Sequence, residues 1–202
     1  MKNIITIQHT QSVHHCNGMV GSWTDWELSE LGKEHAENIG RKLSAELMGQ
    51  TWKIYSSDLL RAKQTAEPLA RYMGVEVEYF EKLREGNQGE AVGKSREWSK
   101  ANRLKLFDDE FDVDFAYFNG AETWREFWNR VAGLQNDIIA DETKNIILVS
   151  HGGTLAVWHQ LWIGAEIHMP QFVKAGGVSF FRIDAGGERV VKRFSDLTYI
   201  GE

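Results

Sequence analysis

The chain is predicted to be an α/β protein in three layers, with helices on both faces of a mostly parallel sheet and an antiparallel strand near the C-terminus. Short apolar runs at 2–8, 52–57 and 145–150 have the length and β-branched content of buried strands. Segments of helical period separate them, which is the alternation that builds parallel sheets. No internal repeat, and no linker rich in Pro, Gly or Ser, divides the 202 residues, so a single domain spans 1–202.

Each element has its own signal. "NIITIQ" stops abruptly at Gln8 and His9, and the aperiodic stretch 11–27, with Asn17, Gly18, Gly21 and Ser22, reads as a loop. "SELGKEHAENIGRKLSAEL" at 29–47 puts Leu31, His35, Ile39, Lys42 and Leu43 at helical spacing, with Ser29 as N-cap. "WKIYSS" is a second strand, and the helix after it has Ser57 or Asp58 as capping candidate and Gly74 as terminator, with Pro68 inside. "VEVEYF" at 75–80 alternates as a half-exposed strand. Residues 84–120 are irregular, with an acidic patch at 108–114, and read as a lid excursion over one end of the sheet. Its aromatics, Trp98, Phe107, Phe111, Phe115, Tyr117 and Phe118, are expected chiefly to anchor it to the core. A helix at 121–140, the strand "NIILVS", a helix from 151, and a hairpin around Gly186-Gly187 complete the chain.

Composition excludes several classes. A net charge of −6 argues against nucleic-acid binding, which needs a basic surface, but allows a local positive pocket for a small anion. No run of about 18 apolar residues suggests a membrane span. With Cys16 the sole cysteine, an internal disulfide and a thiolate cluster are both ruled out. With no secretory signal pattern at the start, a cytoplasmic protein is expected.

In a parallel sheet, ligands bind beyond the carboxyl ends of the strands. The residues there are Gln8 and His9, then Ser57 and Asp58 with Arg61 one turn on, then Arg84 and Glu85, then His151, Gly152 and Gly153. Any one of them has an ordinary structural reading: a hydrogen-bonded histidine, a surface ion pair, a turn glycine. Their convergence on one sheet edge suits phosphoryl transfer. A helix N-terminus and an arginine attract the anion, a neutral imidazole is a nucleophile, a second imidazole stabilises charge, and a carboxyl protonates the leaving group.

The chain resembles the histidine phosphatase superfamily, the phosphoglycerate mutase-like fold, over nearly its whole length. The motifs stand here as "QHTQS" at 8–12, "LSELG" at 28–32, "SSDLLRAKQTAE" at 56–67, "LREGNQGEAVG" at 83–93, "GAETW" at 120–124 and "VSHGG" at 149–153. The resemblance implies that His9 is phosphorylated, that Glu85 donates the proton, and that His151 joins them in catalysis. The phosphate would be bound by Gln8, Ser12, Arg61 and Gly152, without metal or cofactor. The family has arginine where this chain has Gln8. Glutamine keeps a donor but loses the charge, worth about 1–3 kcal/mol of phosphate binding unless something compensates. Candidates for compensation are His14, His15 and Lys94, with Arg96 beside Lys94. A metal held by His9, His14 and His15 is a less favoured reading, because no carboxylate stands at ligand spacing.

The expected function is a metal-independent phosphomonoesterase acting on a small phosphorylated molecule through a phosphohistidine at His9. A member silenced by Gln8, binding a phosphorylated ligand or a protein, is the first alternative. A phosphoglycerate mutase-type transferase is the second, disfavoured by the short span between Glu85 and Gly120. The expected partner is the small substrate, with no nucleic acid and no membrane, and a homodimer is compatible with the sequence.

Overall fold

The computed structural model describes residues 1–106, 111–167 and 174–201. Phe107 and the acids at 108–110 of the expected lid lie outside the described residues. The strands are β1 (Lys2–Gln8), β2 (Lys53–Ser56), β3 (Val77–Tyr79), β4 (Asn145–Ser150), β5 (Val178–Ile183) and β6 (Arg189–Asp196). They form one sheet in the order β3-β2-β4-β1-β5-β6. The pairs β3–β2, β2–β4 and β4–β1 are parallel, and β5 and β6 join antiparallel.

Period-two alternation divides the core. Ile5, Ile7, Ile147 and Val149 face α2 (Glu30–Glu46) and α3 (Leu60–Met73). Ile4, Ile146 and Leu148 face α5 (Trp124–Ala140) and α6 (Gly152–Trp162). Both faces of the central strands are therefore buried, which is why they read as continuous apolar runs. No described helix is long and apolar enough to cross a membrane.

Three local expectations are corrected. The segment 11–27 contains a short helix, α1 (Val13–Cys16), too brief to leave a period in the sequence. The buried face of α2 is Gly32, Ala36, Ile39, Gly40 and Leu43, while Leu31 is exposed. Glycines decide that face: a Cβ on Gly32 would stand 1.9 Å from the Gln11 carbonyl oxygen, and one on Gly40 2.9 Å from Leu69 N on α3. Neither Ser57 nor Asp58 caps α3, whose N-cap is Leu59. Asp25 reaches in from the loop instead and accepts from Leu60 N at 3.1 Å. Ser29 does cap α2, accepting from Gly32 N at 3.0 Å.

The described residues of the 84–120 segment include α4 (Arg96–Asn102), capped by Ser95, and several of them line a cavity together with His9. Of its aromatics, Phe118 is buried and stacks on Trp98, whereas Phe111 and Tyr117 line the cavity beneath.

Candidate active site

Sheet register builds the site. Gln8 pairs with Ser150 across β1 and β4, so His9 and His151 leave the sheet side by side. His9 N donates to Ser150 O at 2.8 Å, and Ser57 N donates to Val149 O at 2.9 Å, bringing the end of β2 to the same point. The ring centroids of His9 and His151 are 5.0 Å apart. Above them opens a cavity of about 760 Å³ lined by Gln8, His9, His14, His15, Arg61, Glu85 and Gly152 among others.

The His9 ring is held in one tautomer. Its Nδ1 lies 2.8 Å from the Thr10 carbonyl oxygen, an atom that can only accept, so Nδ1 carries the hydrogen. The lone pair is then on Nε2, which accepts from Arg61 Nε at 3.2 Å. Burial, and next the Arg61 charge, push the His9 pKa well below its ordinary value, so the ring is neutral near pH 7. A neutral imidazole whose lone pair lies beside a guanidinium has the chemistry to act as a nucleophile where an anion would be drawn.

Arg61 is itself almost fully buried. Its other nitrogens donate to Thr24 O at 2.8 Å and Ser22 O at 2.7 Å, which fixes the plane of the guanidinium. Burial lowers its pKa to about 10, which leaves it charged at neutral pH. Ser22 adopts a φ of 43°, a conformation costly for a non-glycine residue. It is retained by its carbonyl on Arg61, its hydroxyl on Gly86 O at 2.7 Å, and Gln88 N donating back at 2.9 Å. Ser22 sits in a Gly- and Ser-rich stretch, and nothing in the sequence distinguishes it from an ordinary loop residue.

Glu85 occupies the N-terminus of α6. Its carboxylate accepts from Gly153 N at 2.9 Å, Thr154 N at 3.2 Å and Gly86 N at 2.9 Å. A Cβ on Gly153 would meet Glu85 Oε1 at 2.4 Å, so the second glycine of "HGG" makes room for this carboxylate. The first, Gly152, leaves space for the Gln8 amide, whose Nε2 would be 3.2 Å from a Cβ there. The His151 Nε2 lies 2.8 Å from Ser57 Oγ, and burial, then Arg61, hold its pKa well below the ordinary value.

Ser12 does not itself line the cavity but is bonded to two rings that do. Its backbone N donates to His15 Nδ1 at 3.1 Å, and its hydroxyl bonds His14 Nδ1. Both rings border the cavity, and His15 stacks on His9 with the planes 8° apart. The ligand atoms of His9, His14 and His15 fall within 4.8 Å of one another, close enough to raise the metal reading. Two facts weigh against it. His15 Nδ1 already accepts a backbone N–H, so the neutral ring carries its hydrogen on Nε2 and offers a donor there, not a lone pair. The charges of Arg61 and Arg96 also act on His14 and His15. The cluster suits an anion better than a cation. Burial lowers the His14 pKa to about 3 and also lowers that of His15, so both supply hydrogen bonds rather than charge.

Lys94 is not brought to the cavity. Its ammonium lies 5.7 Å from the Trp98 ring centre, and the cations bordering the cavity from the excursion are Arg96 and Arg103. Arg96 arrives because Arg96 N donates to Gly18 O and Val20 N to Lys94 O, pinning the start of α4 to the loop after β1. Arg103 stands outside the motifs and carried no signal in the sequence.

The family model of the histidine phosphatase superfamily (branch 1) matches residues 4–196. The chain belongs to this superfamily. Among its relatives, phosphoglycerate mutase-like protein 4 of Arabidopsis thaliana is 25% identical over 207 residues, covering 98% of this chain and 87% of its own. Two solved structures share the fold. The α-ribazole phosphatase of Shigella flexneri superposes with a TM-score of 0.80 at 20% identity, covering 96% of each chain. A phosphoserine phosphatase from Entamoeba histolytica, in complex with 3-phosphoglyceric acid, superposes with a TM-score of 0.78 at 22% identity, covering 99% of this chain and 100% of its own. The six-stranded sheet and its helices are thus the phosphoglycerate mutase-like fold expected from the motifs.

Proposed function

We propose that this superfamily member is a phosphomonoesterase that hydrolyses a small phosphorylated molecule through a phosphohistidine on His9. The observation that carries the reading is the His9 tautomer, with Nε2 unprotonated and accepting from the Arg61 guanidinium, in a ring that lines the cavity. In the first step His9 Nε2 forms a bond to phosphorus as the ester P–O bond breaks, and Glu85, entering the step as the carboxylic acid, gives its proton to the departing alkoxide. In the second, water attacks phosphorus, the P–N bond breaks, and Glu85 takes the water's proton. Arg61, His151 and the Gln8 amide hold the phosphoryl oxygens as charge moves through them. The α-ribazole and phosphoserine phosphatases of the same fold support phosphate esters as the substrate class.

Gln8 favours a second reading, a member that binds phosphorylated ligands without turning them over. Against it, the cavity offers donors in addition to Gln8: His15 Nε2–H and the Arg96 guanidinium. The test is turnover of an aryl phosphate in the presence of a chelator, with His9→Ala beside the native protein. The phosphatase reading expects turnover, and a loss on the order of a thousandfold in His9→Ala. Native turnover equal to the His9→Ala background selects the binding reading, and turnover abolished by chelator rejects the metal-independent mechanism.

A further inference from the structure

A second cavity of about 450 Å³ adjoins the first and shares with it Asn87, Gln88, Arg96, Arg103, Tyr117 and Glu122. Lys100 also lines it. Arg96, Lys100 and Arg103 follow one another at i, i+4 and i+7, so α4 and its C-cap present one cationic face to this space. No carboxylate pairs with any of the three among the described residues, whereas Arg71, Arg84, Arg125, Arg130 and Arg193 each meet one. The acid within reach, Glu122, is held by Arg130 at 2.7 and 2.9 Å. Arg103 is fixed by stacking over the Tyr117 ring at 3.9 Å.

A charged helix face on a small protein is normally a solvated one. Here the face borders a cavity that adjoins the His9 cavity and shares part of its lining, on a chain whose net charge is −6. Resting on the phosphatase reading, we infer that this side chamber binds a second phosphate carried by the leaving group, so that the preferred substrates are bisphosphorylated small molecules. The Arg103 fork and the Lys100 ammonium together match the several oxygens and double charge of a phosphate, while one fork satisfies a single carboxylate, and Arg96 borders both cavities. The transferred phosphoryl group sits at His9, the second phosphate sits against α4, and the intervening carbon skeleton crosses from one cavity to the other past Tyr117.

A series of alkanediol bisphosphates of increasing chain length, compared with the matching hydroxyalkyl monophosphates and phosphorylated hydroxy-acids, tests the inference. The expected result is a bisphosphate kcat/KM about tenfold or more above that of the monophosphate at the best chain length, shrinking as salt is raised. In the doubly substituted Lys100→Gln, Arg103→Gln protein that ratio should fall to about the twofold statistical advantage of two equivalent esters. A general loss of activity or folding lowers both substrates and leaves the ratio unchanged. A native ratio of about two or less, a ratio untouched by the double substitution, or an equal preference for the carboxylate series overturns the inference. If no ester is hydrolysed, the phosphatase reading has failed, and the ratio of calorimetric dissociation constants for the same pairs decides this one.

Discussion

At the scale of single residues, the exchange that matters is Gln8 for arginine. The lost charge is compensated, in this mechanism, by the His15 Nε2–H and by Arg96. His15→Ala should therefore raise KM for a phosphate monoester by about tenfold, the loss expected when one hydrogen bond to a charged group goes. Gln8→Arg alone should change kcat/KM by less than about threefold, but should restore most of what His15→Ala loses, a coupling readable as a double-mutant cycle. Equal, additive effects in the two backgrounds would show that the positions do not share a ligand. Gly153→Ala tests the other side of the cavity. Its Cβ would stand 2.4 Å from Glu85 Oε1, so it should cut kcat about a hundredfold with the fold retained by circular dichroism. The candidate residues His9, Arg61, Glu85 and His151 were visible in sequence because each follows a strand. The roles of Ser12, Ser22 and Ser57 were not, since a hydroxyl beside a ring, or a backbone carbonyl on a guanidinium, leaves a serine that looks like any in a loop.

Elements show the same division between what is legible and what is not. The central strands β1 and β4 are buried on both faces, and their unbroken apolar runs announce them. The face of α2 departs from the one its helical spacing suggests, because Leu31 and Lys42 fit that spacing while the helix turns its glycines inward to approach the loop after β1 and α3. Gly40→Ala should accordingly destabilise the protein by about 1–3 kcal/mol by overpacking against Pro68 and Leu69, measured by denaturant titration. Unchanged stability would mean that α2 and α3 can move apart freely. The cap of α3 is illegible for a different reason: Asp25 is far away in sequence, and no local pattern points to an acceptor across such a gap. The excursion could be read as an irregular cover, but not as a carrier of Arg103, because the approach of α4 to the cavity depends on backbone pairing with Gly18 and Val20.

For the whole molecule, the buried neutral imidazoles link stability to pH. Burial lowers the pKa of His9, His151 and His159 below the ordinary 6.5, that of His159 to about 3. Below pH 6.5 the unfolded chain takes up protons that the folded chain refuses, so stability is retained above that pH and falls as the pH drops toward 5. Each such ring adds at most about 1.4 kcal/mol per pH unit, and thermal melts should show the midpoint falling through this window. A flat profile would mean the rings gain their protons in the folded state. The three-layer fold and its parallel order were legible as a whole because strands and helices alternate along the chain, and the register that sets His9 beside His151 follows from that order. The most direct test of the central claim is to quench the protein during turnover of a radiolabelled phosphate ester, in chelator, and to map the label. The mechanism predicts acid-labile, base-stable label on the peptide holding His9, approaching one per chain and absent from His9→Ala; turnover with no label on that peptide would contradict it.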